Sequence, residues 1–254
     1  MTERSGVYDK VARRAAPAAE IERLRAVVRV LPPAAVLTHQ TAAMLYGFGV
    51  VPTDALHVTL PAGVPLPQRR GIAAHGAVLP FADVRDVSGL RCLGPARCAV
   101  DLARQLGRPD ALAVLDAALR VGACTRDDLA YEVARHDGLR GVRQARELVR
   151  LADPRAGCRQ ESHLRLLLHD GLLPAPEPQL AVLDDAGRVR CRIDLGYPEE
   201  RVGVVYDGAA RLDQPRHNWL ETRGWRMRYF GDGDLYGEPE QLVQTVRAAL
   251  YHPR

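Results

Sequence analysis

Residues 191–208 read CRIDLGYPEERVGVVYDG, and they set two carboxylates where core side chains are expected. Asp194 sits between Ile193 and Leu195, and Asp207 closes the run Val202-Gly203-Val204-Val205-Tyr206. Alternation with a period of two makes each run a strand. In RVRCRIDL, Val189, Cys191, Ile193 and Leu195 then face one way, and Arg190, Arg192 and Asp194 the other. In the following strand Val202, Val204 and Tyr206 share a face, with Val205 and Asp207 opposite. If the strands are neighbours, Asp194, Val205 and Asp207 converge.

A third acid lies upstream. Glu161 opens a helix, one turn before Leu164 and two before Leu168, on the stripe that should face the core. Each acid has an ordinary explanation. Asp194 pairs with Arg190 or Arg192, Asp207-Gly208 is common turn chemistry, and Glu161 complements its helix dipole. Together they also fit the acidic edge of a metal-dependent nuclease, in which carboxylates hold Mg²⁺ against a scissile phosphate. Both readings stand at this point.

Around this stretch, 161–169 reads as a helix, QLAVL and RVRCRIDL as strands about the turn DDAG, and WRMRYF as a further strand reached by a short link. PEQLVQTVRAALY closes the chain as a helix, with Pro239 in its first turn. The aperiodic stretch ADPRAGCRQ (152–160) is the predicted boundary, dividing the chain into 1–152 and 153–254. Before it, AAEIERLRAVVRVL is a helix stopped by Pro32-Pro33. THQTAAMLYGF is a short helix opened by Thr38 or Thr41, and ALHVTL is a strand with GIAAHGAVL beside it. From Pro95 to about Leu151 four helices follow, the third with capping-box spacing at Thr125 and Asp128. The fold class is α/β (α+β): a mixed α/β N-terminal region with a helical segment, then a small mixed sheet flanked by helices.

ESHLRLLL, RIDLGYPEERVGVVYDG and GWRMRYF together resemble the Vsr-like endonuclease domain found at the C-terminus of actinobacterial proteins. The resemblance covers roughly 155–252 and implies a restriction-endonuclease-like fold of the PD-(D/E)xK group. It implies catalytic roles for Glu161, Asp194 and Asp207, and metal ligation by Asp194, Asp207 and, through its main-chain carbonyl, Val205. The family carries Glu where Val205 stands and a His soon after the Gly, where AARLDQPRH offers Arg211 and only later His217. Those departures imply an impaired site. Arg190, Arg192 and Arg211 are the expected nucleic-acid contacts.

VLTHQTAAMLYGF, LHVTLP, RRGIAAHGAVLP and GLRCLGPARCAVDLAR follow in an order that resembles AbiEi-type antitoxins, over about 6–150. In relatives a winged helix precedes this region and ends in GVY; here Gly6-Val7-Tyr8 lies almost at the start, so the reader helix is expected to be absent. The function implied is binding of nucleic acid or of a partner protein with cutting lost. The alternatives are an active Mg-dependent DNA endonuclease and an antitoxin-like interaction module. Expected partners are DNA, a toxin or regulatory protein, and a second copy of the chain.

Composition narrows the classes further. No apolar run reaches the length of a membrane span, and MTERSGVYDK lacks the layout of a secretory signal. The odd count of five cysteines, with no CxxC pair, argues against a disulfide framework, and a cytoplasmic setting is expected. The net charge of +4 rests almost wholly on arginine, because Lys10 is the only lysine. Guanidinium groups grip phosphate oxygens in pairs, so Arg69-Arg70 and Arg91 with Arg97 are further phosphate candidates, with solvated surface charge as the default. His39, His57 and His75 lie on different elements without a CxxC or HExxH partner, and their spacing predicts no zinc site.

Overall fold

The computed structural model describes residues 16–207 and 213–251, which divide into two units between Pro154 and Arg155. The chain enters the first unit through α1 (Ala18–Val28), which buries only Leu24. It continues through β1 (Val36–Leu37), α2 (His39–Leu45), β2 (Leu56–Pro61), β3 (Ile72–Ala77), β4 (Val84–Val87) and β5 (Leu90–Leu93). These strands form one mixed sheet in the order β3-β2-β1-β5-β4, with β2–β3 and β1–β5 parallel and β1–β2 and β4–β5 antiparallel. The sequence did not show β1, β4 or β5, which are too short to display a period.

Four helices follow: α3 (Pro95–Gln105), α4 (Arg108–Arg120), α5 (Arg126–Arg135) and α6 (Val142–Leu151). Leu102, Leu112, Leu115, Leu129 and Leu148 are almost wholly buried, each worth about 1.5–3 kcal/mol of apolar burial. The capping box forms as its spacing predicts: Thr125 accepts from the Asp128 amide at 3.1 Å, and Asp128 accepts from the Thr125 amide at 2.8 Å. Asp116, fully buried on α4, accepts from the Asp153 amide at 2.7 Å and ties down the chain just past α6.

The second unit runs α7 (Arg159–Asp170), β6 (Glu177–Leu183), β7 (Val189–Tyr197), β8 (Val202–Tyr206), α8 (Gln214–Thr222), β9 (Arg226–Phe230) and α9 (Pro239–Tyr251). Its sheet keeps chain order, β6-β7-β8-β9, antiparallel except for the last pair. The stretch read as a short link is helix α8. The parallel pairing of β8 and β9 requires a crossover there.

Apolar clusters lie on either side of this sheet. One joins Leu164 and Leu168 of α7 and Leu242 and Val246 of α9 to Leu195, Val202 and Val204. The other joins Leu220 of α8 to Leu180, Ile193, Val205 and Met227. The strict alternation expected along β7 therefore fails, because Ile193 and Leu195 enter different clusters. The break falls at Asp194, opposite Gln179, whose φ of 53° lies in the left-handed region.

Gly141 starts α6 with a φ of 79°, and a Cβ there would stand against the carbonyl of Arg104. The left-handed conformation alone disfavours a side chain by about 1–2 kcal/mol, and the clash is with backbone, which cannot swing aside. Gly141→Ala should therefore lower stability by roughly 2 kcal/mol or more, read as a lower urea midpoint with unchanged slope. An unchanged midpoint would show that the turn re-forms without glycine.

Candidate functional site

Asp194 stands where β7 and β8 part, and the charge of Glu161 acts on it. Among the described residues, Glu161, Asp194 and Asp207 do not form a group with all ligand atoms within 4.8 Å of one another. The β7–β8 ladder pairs Tyr197 with Val202 and Leu195 with Val204, and beyond it the Asp194 carboxylate accepts from the Tyr206 amide at 3.1 Å. Asp194 is 6% exposed and Glu161 5%. Glu161 accepts from the Gly157 amide at 2.7 Å and from Gln179 Nε2 at 2.9 Å. Gly157 is fitted to this role, since a Cβ there would lie 2.8 Å from Glu161 Oε1.

Burial first, then the charge of Glu161, pushes Asp194 up to about 7, partly offset by the Tyr206 amide and by Arg216. Asp207 also acts on Asp194, less strongly, and is itself anchored by its amide to the Phe230 carbonyl at 2.8 Å. Val205 is 7% exposed within the apolar cluster on the α8 side.

The arginines are arranged differently from the expectation. Neither Arg190 nor Arg192 pairs with Asp194. Both are exposed, and Arg192 donates to the Gln179 carbonyl at 3.1 Å. The cation acting on Asp194 is Arg216, on α8, which also donates to the Arg192 carbonyl. Arg211 lies outside the described residues. His217 bonds Tyr229 Oη at 3.1 Å and lies 3.3 Å from Glu221. Sequence reasoning missed Gly157, Gln179 and Arg216. Glutamine two residues into a strand carries no period, and α8 has no apolar stripe to betray it.

The first unit holds a cleft of about 590 Å³ lined by His39, His75, Arg97, Asp101, Arg135 and His136 among others. Arg97, expected on the surface, is bound to Asp83 and Asp101, each at 2.8 Å. Arg135 joins Asp83 and Glu132, each at 2.9 Å, and Arg104 joins Asp101 at 2.7 Å. Burial would raise Asp101, but the hydrogen bond from His136 and the charge of Arg97 bring it down to about 2. Arg91 donates to the Pro33 carbonyl at 2.9 Å, and Arg69 and Arg70 are exposed. At the end of the cleft the three histidines that the sequence separates come together. Among the described residues, His39, His57 and His75 are the group of three metal-ligating side chains whose ligand atoms all lie within 4.8 Å of one another. Burial, and after it His75, hold His39 down to about 4.

Comparison with known proteins adds two findings. Residues 33–151 match the AbiEi antitoxin C-terminal domain. Two uncharacterized proteins of Mycobacterium tuberculosis, from two strains, are each 37% identical over 222 residues, covering 84% of this chain and 80% of the relative. Among the described residues no helix is long and apolar enough to cross a membrane.

The two units should respond to acid in opposite directions. In the metal-free protein the folded Asp194 keeps its proton to about 7, whereas an unfolded aspartate loses it near 3.9. Its contribution is fully present below about 4 and falls away as pH rises to about 7. Asp101, held at about 2, contributes above about 4, and that contribution is lost as pH falls through 2. Both tryptophans, Trp219 and Trp225, lie in the second unit, so their fluorescence reports its unfolding alone. Asp194→Asn should flatten the pH dependence of that transition between 4 and 7. An unchanged slope would show that Asp194 titrates normally.

Proposed function

This chain belongs to the family of those mycobacterial relatives, with an AbiEi antitoxin C-terminal domain over residues 33–151, and from that premise we propose that it is an antitoxin-type regulator acting by binding. In this reading the second unit is a Vsr-like nuclease fold that holds nucleic acid without cutting it. The observation that carries the reading is Val205, packed in one cluster with Ile193, Leu180 and Met227, one residue before the Tyr206 amide that bonds the buried Asp194. The framework of a phosphate-cutting centre is kept while one acidic donor is replaced by an apolar side chain.

Chemistry explains why binding survives such a change and cutting does not. Exposed Arg190 and Arg192 offer guanidinium groups to phosphate, a contact that needs no metal. Cutting needs a cation to neutralise charge that develops on the phosphate, and losing one ligand weakens that stabilisation by a factor of ten for each 1.4 kcal/mol or so. The second reading, an active endonuclease, draws support from the closeness of Glu161 to Asp194. Glu161, Asp194 and Asp207 would hold Mg²⁺ with the Val205 carbonyl, and the ion would activate water. The three carboxylates would first have to draw together, since their oxygens do not all lie within 4.8 Å of one another. The carboxylates of Glu161 and Asp194 are oriented for this by Gly157, Gln179 and the Tyr206 amide. An antitoxin-type protein also has a toxin or regulatory protein as a candidate partner, and a homodimer remains part of the proposal.

Supercoiled plasmid incubated with the full chain and Mg²⁺ or Mn²⁺ should stay intact, while gel shifts at low salt show retarded DNA or RNA. Affinity should fall with salt, and Arg190→Ala with Arg192→Ala should reduce the log–log salt slope by about 2. Nicking that disappears in Asp194→Ala would replace the proposal with the endonuclease reading. The absence of any shift at low salt would leave the protein-partner role alone.

Val205→Glu tests the vestigial site directly. Without metal it should destabilise the second unit by roughly 3 kcal/mol or more, because it puts an unpaired carboxylate into an apolar cluster beside two acids. With Mg²⁺ or Mn²⁺ its thermal midpoint should rise more than that of the wild type, since binding to the folded state stabilises it. Equal metal responses would mean that Val205 does not occupy a former ligand position.

A further inference from the structure

We infer that His39, His57 and His75 form a binding site for a first-row transition-metal ion, Zn²⁺ in the first instance, at the end of the cleft in the first unit. The ligand atoms are His39 Nε2, His57 Nδ1 and His75 Nε2, and the site is independent of the acids in the second unit. Each ring arrives on a separate element: His39 at the start of α2, His57 on β2 and His75 on β3. The parallel register of β2 and β3 sets Thr59 opposite His75 and His57 opposite Ala73, so the two strand histidines stand one step apart. His39 is brought over them by a backbone bond from the Thr38 amide to the His57 carbonyl at 3.0 Å and by a bond from the His57 amide to the Thr41 side chain, at Oγ1, at 2.8 Å. It also holds a φ of 51°, a conformation that disfavours a non-glycine residue by about 1 kcal/mol or more.

The polar atoms leave the right nitrogens facing inward. His39 Nδ1 bonds Thr38 Oγ1 at 2.9 Å, which is in turn 3.0 Å from Thr59 Oγ1. Its Nε2 is buried without a hydrogen-bond partner, although Gln105 lies nearby. A buried imidazole nitrogen left unsatisfied disfavours folding unless something occupies it. His57 Nε2 bonds Thr53 Oγ1 at 3.1 Å, leaving Nδ1 toward His75 Nε2, also at 3.1 Å. A metal-bound histidine usually gives its outer N–H to an oxygen acceptor that fixes the ring, and on His39 and His57 threonine hydroxyls take that place.

The spacing also suits zinc. Three nitrogens bound tetrahedrally at about 2.0–2.1 Å from an ion lie roughly 3.3 Å apart, and the His57–His75 pair already has nearly that separation. His39, whose ring stacks on that of His75 with centroids 4.1 Å apart, must close by at most about 1.5 Å from the observed span and turn its ring out of that stack to aim Nε2 at the ion. In the metal-free state one proton lies between His57 Nδ1 and His75 Nε2. On binding, the lone pairs of both atoms turn to the ion and that proton moves to an outer nitrogen, on the His57 side toward Thr53. No proton need leave His39. Three neutral nitrogen donors select Zn²⁺, Cu²⁺ or Ni²⁺ and reject Mg²⁺. His39 and His75 both line the cleft, so the fourth position opens into it and takes water.

The full chain, stripped with a chelator and dialysed, is titrated with ZnCl₂ by calorimetry and with CoCl₂ by visible absorption. One equivalent of Zn²⁺ should bind, Co²⁺ should show the intense bands of a tetrahedral site, and Mg²⁺ in excess should displace neither. His57→Gln and His75→Gln, at half-buried positions, should each weaken Zn²⁺ by more than about 100-fold, and Thr53→Val by roughly 10–100-fold. Glu161→Gln with Asp194→Asn should leave it unchanged. No stoichiometric binding by the wild type, or wild-type affinity in either histidine variant, would overturn the site. Should the histidine variants unfold, Thr53→Val at its exposed position decides, and wild-type affinity there also counts against it.

Discussion

Where β7 and β8 part, the amide of Tyr206 needs an acceptor, and the side chain of Asp194 supplies it. A buried amide cannot go unpaired without a cost comparable to a lost hydrogen bond. The strands can therefore splay only because a carboxylate stands at that point. The ladder ends at Leu195 and Val204, and just beyond it Asp194 stands between Ile193 and Leu195, which enter different clusters. One polar contact thus does structural and chemical duty at once. This explains how an acid can persist in a core whether or not the unit cuts anything.

The same contact shows how the two answers to the acids at 194 and 207 coexist. The ordinary explanation named Arg190 or Arg192, and neither pairs with Asp194; the arginine whose charge acts on it is Arg216 of α8. Of the acidic-site explanation the structure shows one part, that the charge of Glu161 acts on Asp194 and raises it. The first unit resolves its buried charges otherwise. Three arginines and three acids neutralise one another along the cleft around Arg97 and Asp83.

Long elements with a clear period were legible in the sequence: α3 to α7, α9 and the strands of the second unit appear where the apolar pattern put them. What was hidden shares a physical cause, the absence of local repetition. β1 has two residues and cannot alternate, and α8 buries little besides Leu220 and has no stripe. The flip at Asp194 depends on the left-handed turn of Gln179 across the ladder, which no pattern within 191–208 contains. The acids themselves were visible because Asp194 interrupts an apolar run, Asp207 ends one, and Glu161 stands on the apolar stripe of its helix. Their supports at Gly157, Gln179 and Arg216 were not, because they act through folding rather than spacing. Histidines from α2, β2 and β3 meet only through a parallel register.

The strand orders of the two units carry a consequence for how the chain acquires its structure. In the second unit each strand pairs with the next one along the chain, so its sheet can grow by short closures. In the first, two-residue β1 lies at the centre and pairs Leu37 with Cys92, across more than fifty intervening residues. Such a distant pairing must meet its chain-closure entropy before any contact rewards it, which slows folding. During synthesis the N-terminal unit leaves the ribosome first, yet its sheet cannot close until β5 has emerged. Until then β1, β2 and β3 can pair only among themselves, and the edge of β1 that β5 covers in the finished sheet stays open to wrong partners.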